Sequence, residues 1–297
     1  MSDTKETEPK GCLWMMVVVL SVVLVLLLIL CYRKVELSQQ PAVETTTMQT
    51  EPVEETQLPE TTEPSENTEP ITEPSEPDQE AVVTEPEQRQ YLVVIDAGHQ
   101  AKGNSEKEPI GPGAEETKAK VSSGTQGVVT GLEEYKLNLQ VATKLQAILE
   151  ERGYRVHMIR TDHDVDMSNA ERAAVANEQN ADAFIRIHAN GDSNAETQGI
   201  MTICQTKDNP YNGDLYEQSK ALSEAVLEET VATTGGKKQF VWKTDTMSGI
   251  NWCQVPVTIV EMGYMSNPEE DRLMATEAYQ QKLAQGIANG IDRYFEE

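Results

Sequence analysis

The stretch Tyr91-Leu-Val-Val-Ile-Asp-Ala-Gly-His99 decides the fold class of this chain. Its apolar, β-branched run predicts a buried strand, and the tight turn that follows carries a histidine at its tip. Two later segments share this design, since residues 183–187 lead to His188 and residues 257–260 lead to Glu261. Active sites of open α/β sheets lie beyond the carboxyl ends of strands. Two histidines and a carboxylate at strand ends therefore suggest a metal site with an acid/base group beside it.

Strand and helix signals alternate through residues 91–297, which is the pattern of an α/β domain. Between the first strand and the first helix, a long glycine-rich loop is expected over residues 100–130. The predicted strands are 91–95, 154–160, 183–187, 257–260 and, at an edge of the sheet, 199–205; the predicted helices are 132–152, 169–180, 215–230 and 278–295.

The N-terminal third differs sharply in composition from the rest of the chain. Of a formal net charge of -26, about half comes from residues 35–90, which hold 15 acidic residues and one arginine and repeat Thr-Glu-Pro. Prolines and like charges keep such a segment extended, so residues 33–90 are predicted to be a disordered linker without catalytic residues. No basic stripe is visible, and an acidic chain of this kind is not expected to bind nucleic acid.

A run of apolar residues precedes this linker, at residues 13–31. Its length is close to the ~20 residues that cross a bilayer as a helix, and a signal-peptide core is usually shorter, about 7–15 residues. No small-residue cleavage motif follows it. We therefore expect an uncleaved signal anchor over residues 13–32, with residues 1–12 in the cytoplasm and the 91–297 domain outside the cell membrane; a cleaved signal is the alternative.

His99 and His188 are candidate metal ligands because each follows a predicted buried strand. A catalytic zinc usually takes three protein ligands and one water. Glu134 is the best-placed third ligand, since it lies in the first turn of the helix predicted over residues 132–152 and on the side that faces the core. A carboxylate in that position is costly unless it is paired or bound to a metal.

Glu261 follows a short apolar strand, so it too needs a partner or a function. Near zinc it could act as a general base toward water and then as the acid that protonates a leaving amine. A fourth metal ligand or a salt-bridge partner would fit the same spacing.

The remaining histidines and the cysteines of the domain are read as structural. His157 lies inside a predicted strand and His163 in a polar loop. Cys204 and Cys253 could form one disulfide outside the cell or remain two separate buried thiols.

Five motifs, met in order along the chain, resemble those of the zinc-dependent N-acetylmuramoyl-L-alanine amidases of the Amidase_3 type. No single motif is decisive, but five in sequence over nearly all of the 91–297 domain are highly specific. They are Val-Ile-Asp-Ala-Gly-His99, Gly131-Leu-Glu-Glu134-Tyr-Lys-Leu-Asn-Leu139, Ala170-Glu-Arg172 with Ala176-Asn177, Phe184-Ile-Arg-Ile-His188-Ala-Asn190, and Val260-Glu261-Met-Gly-Tyr-Met-Ser-Asn267.

The resemblance implies zinc held by His99, Glu134 and His188, with Glu261 as the catalytic acid/base. The substrate would be peptidoglycan, cut by zinc-activated water at the amide between the lactyl group of N-acetylmuramic acid and L-alanine of the stem peptide. The implied fold is a mixed, mostly parallel sheet of about six strands with helices on both faces.

Some residues depart from the pattern of the resembled family. Many relatives have Pro and Gly-Gly where this chain has Ala97 and Gln100-Ala101, and Arg186 replaces a common serine; the loop 101–130 is also longer.

Two other functions stay open, a non-catalytic peptidoglycan-binding module and another zinc hydrolase acting on cell-wall material. The presence of Glu261 argues against the first, because a binding module has no need of it.

Overall fold

The structure, a computed structural model, describes residues 89–296. The predicted segments 1–12 and 13–32 and nearly all of the predicted linker 33–90 lie outside the described residues. Within 89–296, none of the helices combines the length and apolar character needed to cross a membrane. These residues form an α/β domain, as the alternation of strand and helix signals predicts.

The described residues contain a six-stranded sheet and a separate hairpin. The strands are β1 (Leu92–Ala97), β2 (Asn104–Pro109), β3 (Thr117–Val121), β4 (Arg155–Met158), β5 (Ala183–Asn190), β6 (Ile200–Cys204), β7 (Lys238–Lys243) and β8 (Val257–Tyr264). The sheet has the order β4-β1-β5-β8-β6-β7, and in the part of the chain that the structure describes β2 pairs with β3 alone. Strands β4, β1, β5 and β8 are parallel, and β6 runs antiparallel to β8 and parallel to β7. The implied mixed, mostly parallel sheet is therefore confirmed.

Helices cover both faces of this sheet. They are α1 (Glu134–Glu151), α2 (Asn169–Glu178), α3 (Tyr216–Thr234), α4 (Ser248–Asn251), α5 (Pro268–Met274) and α6 (Glu277–Glu296). Helices α1, α3 and α6 pack together over one face, and α2 and α4 lie on the other. Helix α2 begins with a capping box, in which Ser168 and Glu171 each bond the other's backbone N–H.

Strand β1 is buried on both faces, which explains its continuous apolar sequence. Val93 and Ile95 belong to the core under α1, α3 and α6, while Leu92 and Val94 belong to the core under α2 and α4. Burying one such side chain contributes roughly 1.5–3 kcal/mol. The strand therefore joins the two cores and fixes the position of the turn that follows it.

The structure corrects the expectation of an unstructured loop over residues 100–130. Strands β2 and β3 form an antiparallel hairpin there, with an irregular register between Asn104 and Lys107. Strand β2 has the sequence Asn-Ser-Glu-Lys-Glu-Pro and is largely exposed, so it carries no apolar alternation for a sequence pattern to detect.

A second correction concerns the edge of the sheet. Strand β6, expected at an edge, lies between β8 and β7, and β7 was not predicted. All five residues of β6 are buried, whereas β7 is largely exposed and is held in the sheet mainly by its pairing with β6.

The structure also places Cys204 and Cys253 as separate, buried free thiols, so the possible disulfide is not formed.

Candidate metal centre

Three side chains converge at the carboxyl ends of β1 and β5. His99 Nε2 lies 3.1 Å from Glu134 Oε1, and His188 Nδ1 lies 3.2 Å from that oxygen and 3.2 Å from His99 Nε2. Within residues 89–296, this is the one group of three or more such side chains positioned to hold a metal ion. The structure therefore brings together the three candidate ligands, and neither His157 nor His163 joins them.

The spacing and protonation of this group fit a bound cation. In a tetrahedral site with bonds of about 2.0–2.1 Å, the ligand atoms lie about 3.3 Å apart, close to the three distances observed. Burial lowers the pKa of His188 to about 4, although a hydrogen bond to Glu134 opposes that shift. His188 is therefore neutral near pH 7 and can offer a lone pair.

His99 is held in an unusual backbone conformation. Its φ is +61°, in the left-handed region that non-glycine residues seldom adopt. Such a conformation costs about 1–3 kcal/mol and needs support from its surroundings. Arg160 and Asn138 each donate a hydrogen bond to the Gly98 carbonyl, both at 3.1 Å. A Cβ on Gly98 would collide with the His188 ring, so glycine is required beside the two histidines.

A hydrogen bond to the residue that follows strand β3 sets the tautomer of His99. Its Nδ1 lies 2.9 Å from the Ser122 carbonyl oxygen. A carbonyl can only accept, so Nδ1 carries the hydrogen and Nε2 is left with its lone pair toward Glu134 and His188.

Glu134 enters the site from the first turn of α1 and is almost fully buried. Its Oε2 accepts a hydrogen bond from the Thr125 N–H at 2.8 Å, and its Oε1 accepts one from the Ala189 N–H at 3.1 Å. Burial alone would raise the pKa of Glu134, but hydrogen bonds and charge from His188 and His99 outweigh burial and hold it well below its usual range. The carboxylate is therefore ionised.

Glu261 lies beside this group but is not part of it. Strands β5 and β8 run further than predicted, so His188 and Glu261 both lie inside strands, where they are register partners. Burial, with a smaller contribution from the Glu134 charge, raises the pKa of Glu261 to about 8, and its Oε2 is buried without a hydrogen-bond partner in the described residues. A nearby cation would oppose this rise. Such a carboxylate suits proton transfer near neutral pH.

A buried ion cluster beneath the site had no role assigned to it from the sequence. Asp96 pairs with Arg172 at 2.6 Å and with Arg186 at 2.9 Å, and all three side chains are at most 3% exposed. Arg172 also donates to the carbonyl of His99 at 3.1 Å. The sequence signal for this cluster is the presence of charged residues inside apolar segments, because a buried charge requires a partner. The cluster ties the turn that carries His99 to α2 and β5.

Two clefts meet at the candidate ligands. One, of about 350 Å³, extends from His99, His188 and Glu261 toward β3 and residues 246–249. The other, of about 440 Å³, extends from the same residues toward residues 189–192 and Ser266. A substrate can therefore lie across the ligands with a chain on either side.

Together, the mixed α/β sheet, the candidate His–Glu–His metal site and the glutamate on the adjacent strand are typical of a hydrolase. The chain belongs to the Amidase_3 family of N-acetylmuramoyl-L-alanine amidases, which its residues 93–293 match.

Several known proteins resemble this chain over more than half of its length. It is 27% identical over 207 residues to the N-acetylmuramoyl-L-alanine amidase AmiA of Salmonella typhimurium, covering 56% of this chain and 69% of that protein. It is 31% identical over 175 residues to the uncharacterized protein YqiI of Bacillus subtilis, covering 59% and 80%. The crystal structure of the amidase Ami1 from Mycobacterium smegmatis superposes with a TM-score of 0.63 at 27% identity, covering 70% of this chain and 97% of that one.

Proposed function

We propose that this protein is a peptidoglycan hydrolase that cleaves the amide between the lactyl group of N-acetylmuramic acid and L-alanine of the stem peptide. Membership of the amidase family supports the activity. The observation that carries it for this chain is the convergence of His99, Glu134 and His188 within 3.2 Å, with Glu261 on the adjacent strand.

The metal proposed for this centre is zinc. Two imidazole nitrogens and one carboxylate oxygen are a common ligand set for a catalytic zinc that keeps one position open. Bound there, zinc would act as a Lewis acid that polarises the scissile carbonyl and makes water easier to deprotonate.

Glu261 is proposed to move the proton during hydrolysis. It accepts a proton from the attacking water, whose oxygen bonds to the carbonyl carbon. When the carbon–nitrogen bond breaks, Glu261 returns this proton to the nitrogen of L-alanine. The products are the lactyl carboxylic acid and a free amino terminus, and the glutamate is regenerated.

The reaction is tested by analysing the products formed from purified peptidoglycan. We expect new amino termini on L-alanine and no new reducing sugar ends, because only the lactyl amide is cut. Amino termini should be measured by dinitrophenyl labelling and reducing ends by a sugar assay. Released acetate would instead indicate a deacetylase, new termini on other residues a peptidase, and binding without products a non-catalytic module.

We further propose that the protein is anchored in the cell membrane with its amidase domain outside. The apolar residues 13–31 and the proline-rich acidic segment after them support this placement, and the substrate lies outside the membrane. We expect the full chain to sediment with membranes and a chain lacking residues 1–32 not to do so. Protease added to intact protoplasts should degrade the domain; full protection of the domain would contradict the proposed orientation.

A further inference from the structure

The cleft toward β3 differs in charge from the cleft on the other side of the candidate ligands. Beyond the ligands and Glu261, its charged lining residues are Lys118 and Arg186. Among the described residues, the lining of the opposite cleft includes no lysine or arginine, and it contains Asp192. A substrate with one anionic group would therefore place that group in the first cleft rather than in the second.

Arg186 offers an unused donor at the wall of this cleft. Its side chain is 3% exposed, with Nε bound to Asp96 at 2.9 Å and Nη2 bound to Asn169 Oδ1 at 2.8 Å. Among the described residues, Nη1 has no hydrogen-bond partner. It lies against Gly249, where a Cβ would collide with it. The missing side chain at Gly249 leaves room for the guanidinium at the cleft wall.

Positive charge is in excess around this donor. One carboxylate, Asp96, is shared by the guanidinium groups of Arg172 and Arg186. Lys118 adds a further cation from β3, and within residues 89–296 its Nζ bonds only the Thr246 carbonyl, at 2.6 Å. Because this carbonyl is neutral, the charge of Lys118 is not compensated by it. In a chain whose net charge is -26, this cationic cleft is a local exception.

We propose that this cleft recognises a free carboxylate of the stem peptide, with Lys118 Nζ and Arg186 Nη1 as its donors. The inference rests on the proposed function and adds a specificity to it. The glycan side of the scissile amide is neutral, whereas the peptide side continues from L-alanine into D-glutamate joined through its γ-carboxyl group. Its α-carboxyl group is free in some peptidoglycans and amidated in others. The cleft starts at the candidate ligands, so this nearest carboxylate is the group assigned to it.

The test compares synthetic muramyl tripeptides that differ only in this group, as carboxylate or carboxamide. Full-length protein is expected to show a kcat/KM about 10-fold higher or more for the carboxylate, the size of one charge-assisted hydrogen bond. K118Q should lose most of this preference by slowing the carboxylate substrate. K120Q is the matched control, because Lys120 lies on the same strand but pairs with Glu106 outside the cleft. It should keep the preference.

A binding measurement separates this inference from the proposed function. Calorimetry with the peptides L-alanyl-D-isoglutamate and L-alanyl-D-isoglutamine needs no turnover, and we expect the first to bind more tightly, by a margin that K118Q reduces. Equal binding of the two peptides and equal kcat/KM values overturn the inference and leave the amidase intact. A second pair of substrates differs only in whether the C-terminal carboxylate is amidated. If the preference follows that carboxylate instead, the inference is also overturned and the amidase is left intact. Failure to hydrolyse any muramyl peptide contradicts the proposed function, and the peptide binding then decides the inference by itself.

Discussion

Replacing His188 with alanine is expected to release zinc and to lower the rate of hydrolysis by about 10³-fold or more, because a Lewis acid contributes several kcal/mol and each ~1.4 kcal/mol is a factor of ten. The three candidate ligand atoms lie within 3.2 Å of one another, so each would supply one of the three protein bonds to the metal. Two remaining ligands would not retain the metal. Treating the wild-type protein with a strong chelator should have the same effect.

Metal content and turnover should be measured on the same preparations. Wild-type protein is expected to contain about one zinc per chain, and zinc added after chelation should restore activity. His157→Ala is the matched control, since His157 lies on β4 away from the centre and should lose neither metal nor activity. Full activity after exhaustive removal of metal would overturn the assignment of a metal centre.

Glu261→Gln is expected to lower kcat by roughly 10²–10⁴-fold, the usual contribution of one positioned acid/base group. The amide keeps the size of the side chain but cannot accept the proton of water. Zinc content should stay close to wild type, because Glu261 is not among the converging ligand atoms.

Glu134→Gln provides the comparison, because it alters a ligand of the same chemical type. Its Oε1 contacts both histidines, so this variant should bind zinc more weakly and lose activity for that reason. Zinc content by mass spectrometry and single-turnover rates separate the two effects. If Glu261→Gln loses zinc while Glu134→Gln retains it, the roles of the two glutamates are reversed.

A stability measurement on metal-free protein gives Glu261 an independent readout. Burial raises the pKa of Glu261 from 4.5 to about 8, so between these values the folded protein binds a proton that the unfolded chain does not. Stability contributed by this group is therefore lost as the pH rises through that window. Compared with wild type, the Glu261→Gln variant should show a smaller fall in Tm from pH 5 to pH 8.

The sequence alone determined the class of fold and named the three side chains, His99, Glu134 and His188, that the structure brings together. Strand β1 and helix α1 are specified locally, by a continuous apolar run and by helical spacing, and the predicted helix 132–152 lies within two residues of the observed Glu134–Glu151. His99, His188 and Glu261 were recognisable because polar, titratable residues followed apolar segments. Glu134 was recognisable because it shared the core-facing side of its helix.

Only the tertiary structure decided how these elements are arranged. Strand β2 is polar and largely exposed and, among the described residues, pairs with β3 alone. Strand β7 is largely exposed and joins the sheet by pairing with β6, so regular apolar alternation marks neither strand. The cluster of Asp96, Arg172 and Arg186 joins a strand, a helix and a second strand up to 90 residues apart in the chain. Ion pairs and strand pairing of this range depend on distances between segments, which neither composition nor periodicity encodes.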